Sequence, residues 1–413
     1  MKKILKKNTS PKKAKIEKKK EIRKKVNVKK NPKNKINSKE INSIIKQKPN
    51  IEDKNKIKSL IRAIFNIKEI RKQLYFMGID YKSIQLNKID ELLKSCCNLL
   101  DKIDEIINSK DMNHKSKKDK FFNLTKEYYK LLPHTFPLPD YNLYIINDID
   151  KIKREICLLE LVKSYSELEK AYYKIRNEKD ENDLNSMNLN DSMNISVNLE
   201  NIPEEEHHSN ISNYFFEKAL SELNYPINVV QYKSKIYNDI TYLINAYSEE
   251  KEGPFLPLNI LEIFSLNDSN KEIDKDTLYF YGCEIIHFYS ILKNGLRLPL
   301  KEAPKNVYSY GKGILLSDNP FDQIKKCLPK NNIFYLFICK VDHFKPRRVH
   351  KPHKNFPKNL DKEFNSVLLI NKIYYQSNGS SDENSREHIN IYNHIIYDTE
   401  LVELYYIVKL QIP

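Results

Sequence analysis

Apolar residues recur at helical spacing through the first half of the chain. Between Ile57 and Ile107 they fall three or four positions apart, which is the spacing of a buried stripe on an amphipathic helix. The same spacing covers residues 149–175 and residues 121–132, where Pro133 ends the pattern because proline cannot donate to the preceding turn. The pattern therefore predicts a helical domain over residues 55–177.

The pattern changes to short, strand-like runs in the second half of the chain. Runs of β-branched and aromatic residues, bounded by Gly, Pro or Asn, predict strands, and one helical run lies at residues 236–247. We expect an α+β fold, in which an N-terminal α-helical bundle precedes a mixed β core of two packed antiparallel sheets over residues 213–413. The predicted strands are residues 227–232, 258–266, 278–282, 333–341, 394–398 and 404–412.

Residues 178–212 separate the two halves and are rich in Asn, Ser, Asp and Glu. Such a composition cannot bury enough apolar surface to fold. We therefore expect a flexible, acidic linker that loosens the coupling between the helical domain and the β core. No apolar run reaches the ~18 residues that a membrane-spanning helix needs, so the sequence predicts a soluble protein with no membrane partner.

The formal net charge of +16 over 413 residues is concentrated near the N-terminus. Residues 1–50 hold 20 Lys and Arg against 3 Asp and Glu, which leaves 51 against 52 in the rest of the chain. A basic, disordered arm of this kind binds phosphate backbones, serves as a nuclear import signal or remains a solvated tail. The candidate nucleic-acid contacts are Lys12, Lys13, Lys18, Lys19, Lys20, Arg23, Lys24 and Lys25.

The six cysteines are scattered, without a Cys-x-x-Cys spacing or a preceding secretory signal. This distribution favours reduced thiols and a nuclear location, with a cytoplasmic one as the alternative. His343, His350 and His353 lie within eleven residues, but only Asp342 adds a carboxylate at ligand-like spacing. A basic surface loop is the simpler interpretation, so we expect no metal.

The most specific motifs lie between residues 278 and 314. A strand ends at Gly282, the helix and turn HFYSILKNGLRL follow, and then come Glu-Ala-Pro at residues 302–304 and GKGI at residues 311–314. This arrangement resembles the NAD-binding core of poly(ADP-ribose) polymerases. The helical segments, including EYYKLLPH at residues 127–134, are similar to the regulatory helical domain of that family. The resemblance implies an ADP-ribosyltransferase fold, glycosyltransferase chemistry and NAD+ as substrate.

The same resemblance places three substituted residues at the family's catalytic His, Tyr and Glu. Tyr281 stands at the His, Leu315 at the Tyr that follows GKGI, and Asn393 at the Glu. In the family these side chains hold and activate the nicotinamide riboside, and the Glu is needed for chain elongation. Losing one well-placed group that stabilises the transition state typically lowers the rate about 10²–10³-fold, so we expect impaired catalysis.

The nicotinamide pocket that the resemblance implies is also altered. Gly282 keeps the backbone groups that hold the carboxamide, whereas Cys283 replaces a Ser and is a weaker donor. Counted forward from GKGI without a gap, Gln323 falls on the clamping Ser and Lys326 on the stacking Tyr. Tyr308 coincides with another pocket aromatic, and its alternative role is packing.

Neighbouring residues offer little replacement for the missing Glu. Strand alternation turns His394 and Asp398 away from Asn393, although a local register shift would bring His394 to the site. Glu284 is expected to be a solvated surface charge.

Three functions stay open on the sequence alone. The first is a catalytically impaired, polymerase-like pseudoenzyme that acts by binding nucleic acid or polymerase partners. The second is residual NAD-dependent mono-ADP-ribosyl transfer to protein or nucleic acid. The third is nucleic-acid binding with the core as a scaffold only.

Overall fold

The computed structural model describes residues 50–110, 112–135, 144–186, 212–248, 255–267, 277–327, 332–342, 345–376 and 386–413. Residues 1–49 of the predicted basic arm and residues 187–211 of the predicted linker lie outside this part of the chain. Within it the α+β class is confirmed, because helices fill the first half and strands dominate the second.

Five long helices form the first half of the described chain: α1 (Ile51–Ile64), α2 (Ile67–Phe76), α3 (Ile89–Asn108), α4 (His114–Leu131) and α5 (Ile149–Ser186). The side chain of Asn66 caps α2 and that of Asn113 caps α4, since each accepts a hydrogen bond from an amide that the first turn leaves free. The helix α4 ends before Pro133, as predicted. The helix α5 continues to Ser186, so the linker does not begin at residue 178 as we expected.

Nine strands among the described residues form one sheet in the order β1-β2-β9-β5-β3-β4-β8-β7-β6. All neighbouring strands are antiparallel except β6 and β7, which are parallel. The strands are β1 (Asn228–Val229), β2 (Asn259–Ser265), β3 (Leu278–Gly282), β4 (Ile314–Ser317), β5 (Ile333–Val341), β6 (Pro346–Arg348), β7 (Ser366–Gln376), β8 (Arg386–Ile396) and β9 (Val402–Gln411).

Two halves of this sheet meet at a single residue pair. The strand β3 pairs with β5 along its whole length, but it pairs with β4 only through Phe280 and Ser317. The strand β4 has four residues, and only its last one reaches β3. This contact joins the strands into one hydrogen-bonded sheet, whereas we expected two.

Shorter helices complete the described second half: α6 (Asn213–Ser221), α7 (Lys235–Ile244), α8 (Phe288–Asn294) and α9 (Pro320–Ile324). The helix α8 is the HFYSILKN motif, and Gly295 ends it with a φ of +76°, a conformation that favours glycine. In the part of the chain that the structure describes, no helix is both long and apolar enough to cross a membrane.

The helical domain and the β core belong to one compact unit that runs from Ile51 to Pro413. Buried side chains of both halves join one hydrophobic cluster, which includes Leu60 and Leu159 from the helices and Phe337 from the sheet. The Asn306 amide also donates to the Asp104 carboxylate on α3 at 2.6 Å. The two halves are therefore packed together, contrary to the loose coupling that we expected.

Candidate functional site

Three adjacent strands bring the substituted triad positions to one region of the sheet. In the strand order β3-β4-β8, Phe280 pairs with Ser317 and Ser317 pairs with Asn393. Tyr281 follows Phe280 directly, and Leu315 lies two residues before Ser317. Directly paired residues share a face, so Leu315 lies on the face of Ser317 and Asn393, whereas Tyr281, next to Phe280, lies on the opposite face. The structure therefore brings the three positions to neighbouring strands, but only Leu315 and Asn393 to one face.

Asn393 is the triad position with the largest change in charge. It is 6 % exposed, and it shares a face of the sheet with its partner Ser317 because directly paired residues point the same way. Leu315 shares that face, since side chains alternate along a strand. Among the described residues, nothing hydrogen-bonds to the Asn393 side chain. A neutral amide therefore occupies the place that the resemblance gives to a carboxylate.

His394 lies on the opposite face of β8, as strand alternation predicted. Its ring packs against the Tyr279 ring, with 4.5 Å between the centroids. Burial lowers the pKa of His394 to about 4, so the ring is neutral near pH 7. His394 therefore does not take the place of the missing Glu in this register.

The two nearby carboxylates have structural partners. Asp398 caps the 3₁₀ turn Thr399–Leu401 by accepting from the amide of Glu400. Glu284 is half-buried, and its carboxylate lies 3.4 Å from Nε2 of His287. Our expectation of a solvated Glu284 was wrong, because the 3₁₀ turn Ile285–His287 folds the imidazole back onto the carboxylate.

Gly282 and Gln323 form the closest contact at the predicted nicotinamide pocket. The Gly282 N–H donates to Oε1 of Gln323 at 3.1 Å. A Cβ on Gly282 would lie 2.1 Å from the carbonyl oxygen of Gln323, so only glycine lets α9 approach β3 this closely. The donor that the resemblance assigns to a ligand carboxamide is therefore used by a side-chain amide of the protein itself.

Lys326 adds a positive charge beside this pair. Its Nζ donates to Oε1 of Gln323 at 2.8 Å, and much of the side chain remains open to solvent. Partial desolvation by the surrounding protein atoms lowers the pKa of Lys326 to about 8. The resemblance places an aromatic ring here that stacks on the cationic nicotinamide of NAD+. An ammonium group repels such a ring, so these residues do not fit it.

Cys283 follows Gly282 directly in the chain, and Cys327 follows Lys326. Both are buried, and burial raises the pKa of Cys327 to about 12 and that of Cys283 well above its ordinary value. Both therefore remain thiols, which are poor hydrogen-bond donors. They also line a separate cavity of about 310 Å³ between the helices α1 and α2 and the β core. None of the three triad positions lines that cavity.

The GKG turn is fixed by its own packing. Gly311 has a φ of +78°, and a Cβ there would lie 2.2 Å from the carbonyl oxygen of Phe356. A Cβ on Gly313 would lie 2.4 Å from Cγ2 of Ile395. Leu315, at the end of this turn, packs with Phe356 and Ile395 in a small hydrophobic cluster. Both glycines are thus required by the fold.

Tyr308 faces the helical domain. Its hydroxyl is buried without a hydrogen-bond partner among the described residues. Desolvation raises its pKa above the ordinary value, and Glu160 on α5 contributes to the same shift. The Nζ of Lys312 lies 5.9 Å from the ring centroid. Tyr308 therefore packs between the two halves, which is the alternative that we kept for it.

Glu160 is a neighbour of the site that the sequence analysis missed. It accepts a hydrogen bond from the amide of Leu300 at 3.4 Å. Burial raises its pKa, while the nearby His287 lowers it. Electrostatic repulsion from the Glu160 carboxylate raises the pKa of both Tyr281 and Tyr308. The only signal in the sequence is an acidic residue within an apolar stretch of α5.

Some of the remaining candidate residues lie outside the part of the chain that the structure describes. The predicted nucleic-acid contacts between Lys12 and Lys25 lie outside the described residues, and so does His343. Across the described ranges, no group of three or more His, Cys, Asp or Glu side chains could hold a metal ion.

Two family models match this chain. Poly(ADP-ribose) polymerase, regulatory domain, matches residues 54–191, and the poly(ADP-ribose) polymerase catalytic domain matches residues 234–412. The first match falls on the long helices and the second on the sheet with its triad positions.

Individual relatives agree with the family models. The chain is 23% identical over 276 residues to "Poly [ADP-ribose] polymerase 1" of Danio rerio. The matched region covers 63% of this chain and 23% of that protein. It is 22% identical over 292 residues to "Poly [ADP-ribose] polymerase 2-B" of Oryza sativa subsp. japonica. That match covers 68% of this chain and 42% of the relative. The chain thus matches less than half the length of these relatives. With both its helical and its β domain matched, the chain belongs to the poly(ADP-ribose) polymerase family.

Proposed function

We propose that this chain is a poly(ADP-ribose) polymerase-like pseudoenzyme, impaired in ADP-ribosyl transfer, that acts by binding. The observation that carries the proposal is Asn393, a neutral side chain on the face of β8 that the resemblance gives to the catalytic Glu. Cleavage of the nicotinamide–ribose bond develops positive charge on the ribose. A carboxylate stabilises that charge and an amide does so poorly, so transfer is slowed about 10²–10³-fold or more.

The pocket supports the same proposal independently. The Gly282 N–H is engaged by Gln323, and Lys326 places a cation beside them. A ligand carboxamide would have to displace the Gln323 amide, and a cationic ring would meet the Lys326 ammonium. Weak binding of NAD+ and loss of the carboxylate therefore act in the same direction.

The positive charge of the N-terminal arm indicates the class of partner. The basic arm, residues 1–50, suits a nucleic-acid backbone, and a nuclear location agrees with its Lys-rich runs. In this proposal the arm binds nucleic acid while the folded unit serves as a scaffold for protein partners. Residual mono-ADP-ribosyl transfer remains a second candidate, because Gly282 and the GKG turn keep the backbone of the family's pocket.

Transfer of label from NAD+ tests the catalytic part of the proposal. The full chain, an Asn393→Glu variant and an Asn390→Glu control are assayed with and without nicked DNA. Asn390 lies on the same strand but on the other face, so the control adds the same charge away from the site. We expect no label above the heat-killed sample for the wild type and for Asn390→Glu. Label on the wild type at the rate of Asn393→Glu would contradict impairment, and slow label in single units would favour mono-transfer.

Binding of nucleic acid tests the arm. We expect deletion of residues 1–50 to weaken binding to duplex DNA and to flatten its dependence on salt, because counterion release scales with the number of phosphates neutralised. Unchanged affinity and salt dependence would refute a role for the arm.

A further inference from the structure

The orientation of the Gln323 amide is fixed by two donors. Its Oε1 accepts from the Gly282 N–H at 3.1 Å and from Nζ of Lys326 at 2.8 Å. A reversed amide would turn its NH₂ group toward both donors, so this assignment is the favourable one. Gln323 is 1 % exposed, and its Nε2 has no acceptor among the described residues. Buried donors in folded proteins nearly always have acceptors.

Lys326 is not neutralised by a neighbouring carboxylate. It forms no ion pair with any described residue. The Asp322 carboxylate, one turn earlier, is 3.0 Å from Nζ of Lys325 instead. The titratable groups that act on Lys326 are the thiols of Cys283 and Cys327 and, after them, the Asp322 carboxylate. The Glu284 carboxylate acts on the same two thiols. Among the described residues the site therefore presents one ammonium group without an ion pair and one amide donor without an acceptor.

We propose that the polar groups of Gln323 and Lys326, beside Gly282, form a site that binds the oxyanion of a small carboxylate or phosphate ligand, in preference to the cationic nicotinamide ring of NAD+. The proposal rests on the proposed function, because it names the ligand class of the same pocket. Lys326 supplies the charge, and its ammonium can donate to the ligand in addition to Gln323. Nε2 of Gln323, which has no acceptor among the described residues, supplies a second donor.

Two substitutions act together on the charge of this region. Asn393 takes the place that the resemblance gives to a negative side chain, and Lys326 adds a positive one where it gives a neutral ring. Both changes favour an anion over a cation, since like charges repel and opposite charges attract more strongly in a partly desolvated site than in water. Hydrogen bonds from an ammonium group to an oxyanion are also stronger than bonds between neutral groups.

Nicotinate and nicotinamide are the matched probes, since they share a ring and differ only in carboxylate against carboxamide. Binding to the full chain is measured by calorimetry at pH 7, with ADP-ribose and NAD+ as a second pair that shares the pyrophosphate and differs in the cationic ring. We expect nicotinate to bind at least about tenfold more tightly than nicotinamide, or ADP-ribose at least about tenfold more tightly than NAD+. Preference in the first pair identifies a carboxylate ligand. Preference in the second pair alone shows that the cationic ring is excluded, and it supports a phosphate ligand because the pyrophosphate is then the anion that binds.

Variants of neighbouring lysines show whether Lys326 carries the preference. Lys326→Gln should abolish it, whereas Lys325→Gln should keep it because that side chain is exposed and pairs with Asp322. At pH 9 Lys326 is largely neutral, so the wild type should lose the preference while Lys326→Arg keeps it. Thermal melts of all variants confirm that the fold is intact.

Equal affinity within both probe pairs would overturn the proposal, and so would a preference that survives in Lys326→Gln. The assay for transfer from NAD+ is run on the same samples. Turnover by the wild type at the rate of Asn393→Glu would refute the proposed impairment, whether or not the site prefers anions. Absence of turnover with no anion preference would refute only this inference.

Discussion

Replacement of Gly282 by alanine tests whether α9 is pressed against β3. The added Cβ would lie 2.1 Å from the Gln323 carbonyl oxygen and 2.6 Å from its carbon, whereas an ordinary contact begins at 3.4 Å. The neighbour is backbone, so it cannot rotate away and α9 must move by more than 1 Å. Overpacking of this kind typically costs about 1–3 kcal/mol. We expect Gly282→Ala to lower the free energy of unfolding in urea by that amount.

Gly295→Ala is the matched control for stability. Its φ of +76° disfavours alanine, but the nearest atom to a Cβ there is Oη of Tyr225 at an ordinary 3.5 Å. The strained backbone costs about 1–3 kcal/mol, a loss similar to that of Gly282→Ala. Only Gly282→Ala should also disturb the Gln323 contact and so change the titration of Lys326, followed by NMR of labelled lysine. Wild-type stability and an unchanged Lys326 titration in Gly282→Ala would refute the reasoning.

Two further predictions concern buried polar groups. His394 has a pKa of about 4 in the folded chain against 6.5 for a free side chain, so the unfolded state binds more protons between these values and stability falls as the pH drops from 6.5 toward 4. His394→Phe should lose less unfolding free energy than the wild type over this pH range. Equal losses in the two proteins would contradict a low pKa of His394 in the folded chain. Arg71 on α2 donates to the Tyr165 hydroxyl and the Glu169 carboxylate, each at 2.7 Å. Arg71→Met should lower the unfolding free energy by about 1–3 kcal/mol, while Arg62→Met, at an exposed site, should change it by less than about 0.5 kcal/mol. Equal effects of the two arginine variants would contradict a stabilising role of the Arg71 hydrogen bonds.

Strands with a strong apolar pattern could be predicted from the sequence almost to the residue. The observed bounds of β3 and β5 agree with the predicted residues 278–282 and 333–341. Both strands lie inside the sheet, and their alternate side chains are buried, so burial and periodicity give the same signal.

The strands β4, β6 and β7 and the first part of β8 were not predicted. The strand β4 has only four residues, which is too short for a periodic pattern. The strand β7 lies near the edge of the sheet, with only the short β6 beyond it. It carries Asn371 and Lys372, and β8 carries Asn390 opposite Lys372. Both strands bury apolar residues such as Val367 and Ile391, but backbone pairing extends them past these residues to the exposed Asn371 and Lys372. A sequence pattern does not report such pairing.

The sequence could predict which residues lie at the site, but not the contacts between them. The motifs placed Gln323 and Lys326 in the pocket, but neither the motifs nor their spacing indicated that the Gln323 amide would accept from Gly282. That contact depends on how closely α9 approaches β3, which is a tertiary distance. Glu160 was missed for the same reason, because α5 brings it to the site from a different domain.

The glycines of this site do not indicate by themselves that NAD+ binds. Gly282 is required by the packing of α9, and Gly311 and Gly313 are required by the packing of the GKG turn. A chain that had lost the activity would still need all three to fold. The positions that distinguish an active from an inactive pocket are those where packing does not require the residue. They are Asn393, whose side chain forms no hydrogen bond with another described residue, and Lys326, which is exposed. At both positions the residue present favours an anion over the cationic ring of NAD+, and that agreement is the strongest argument that the pocket has a different ligand.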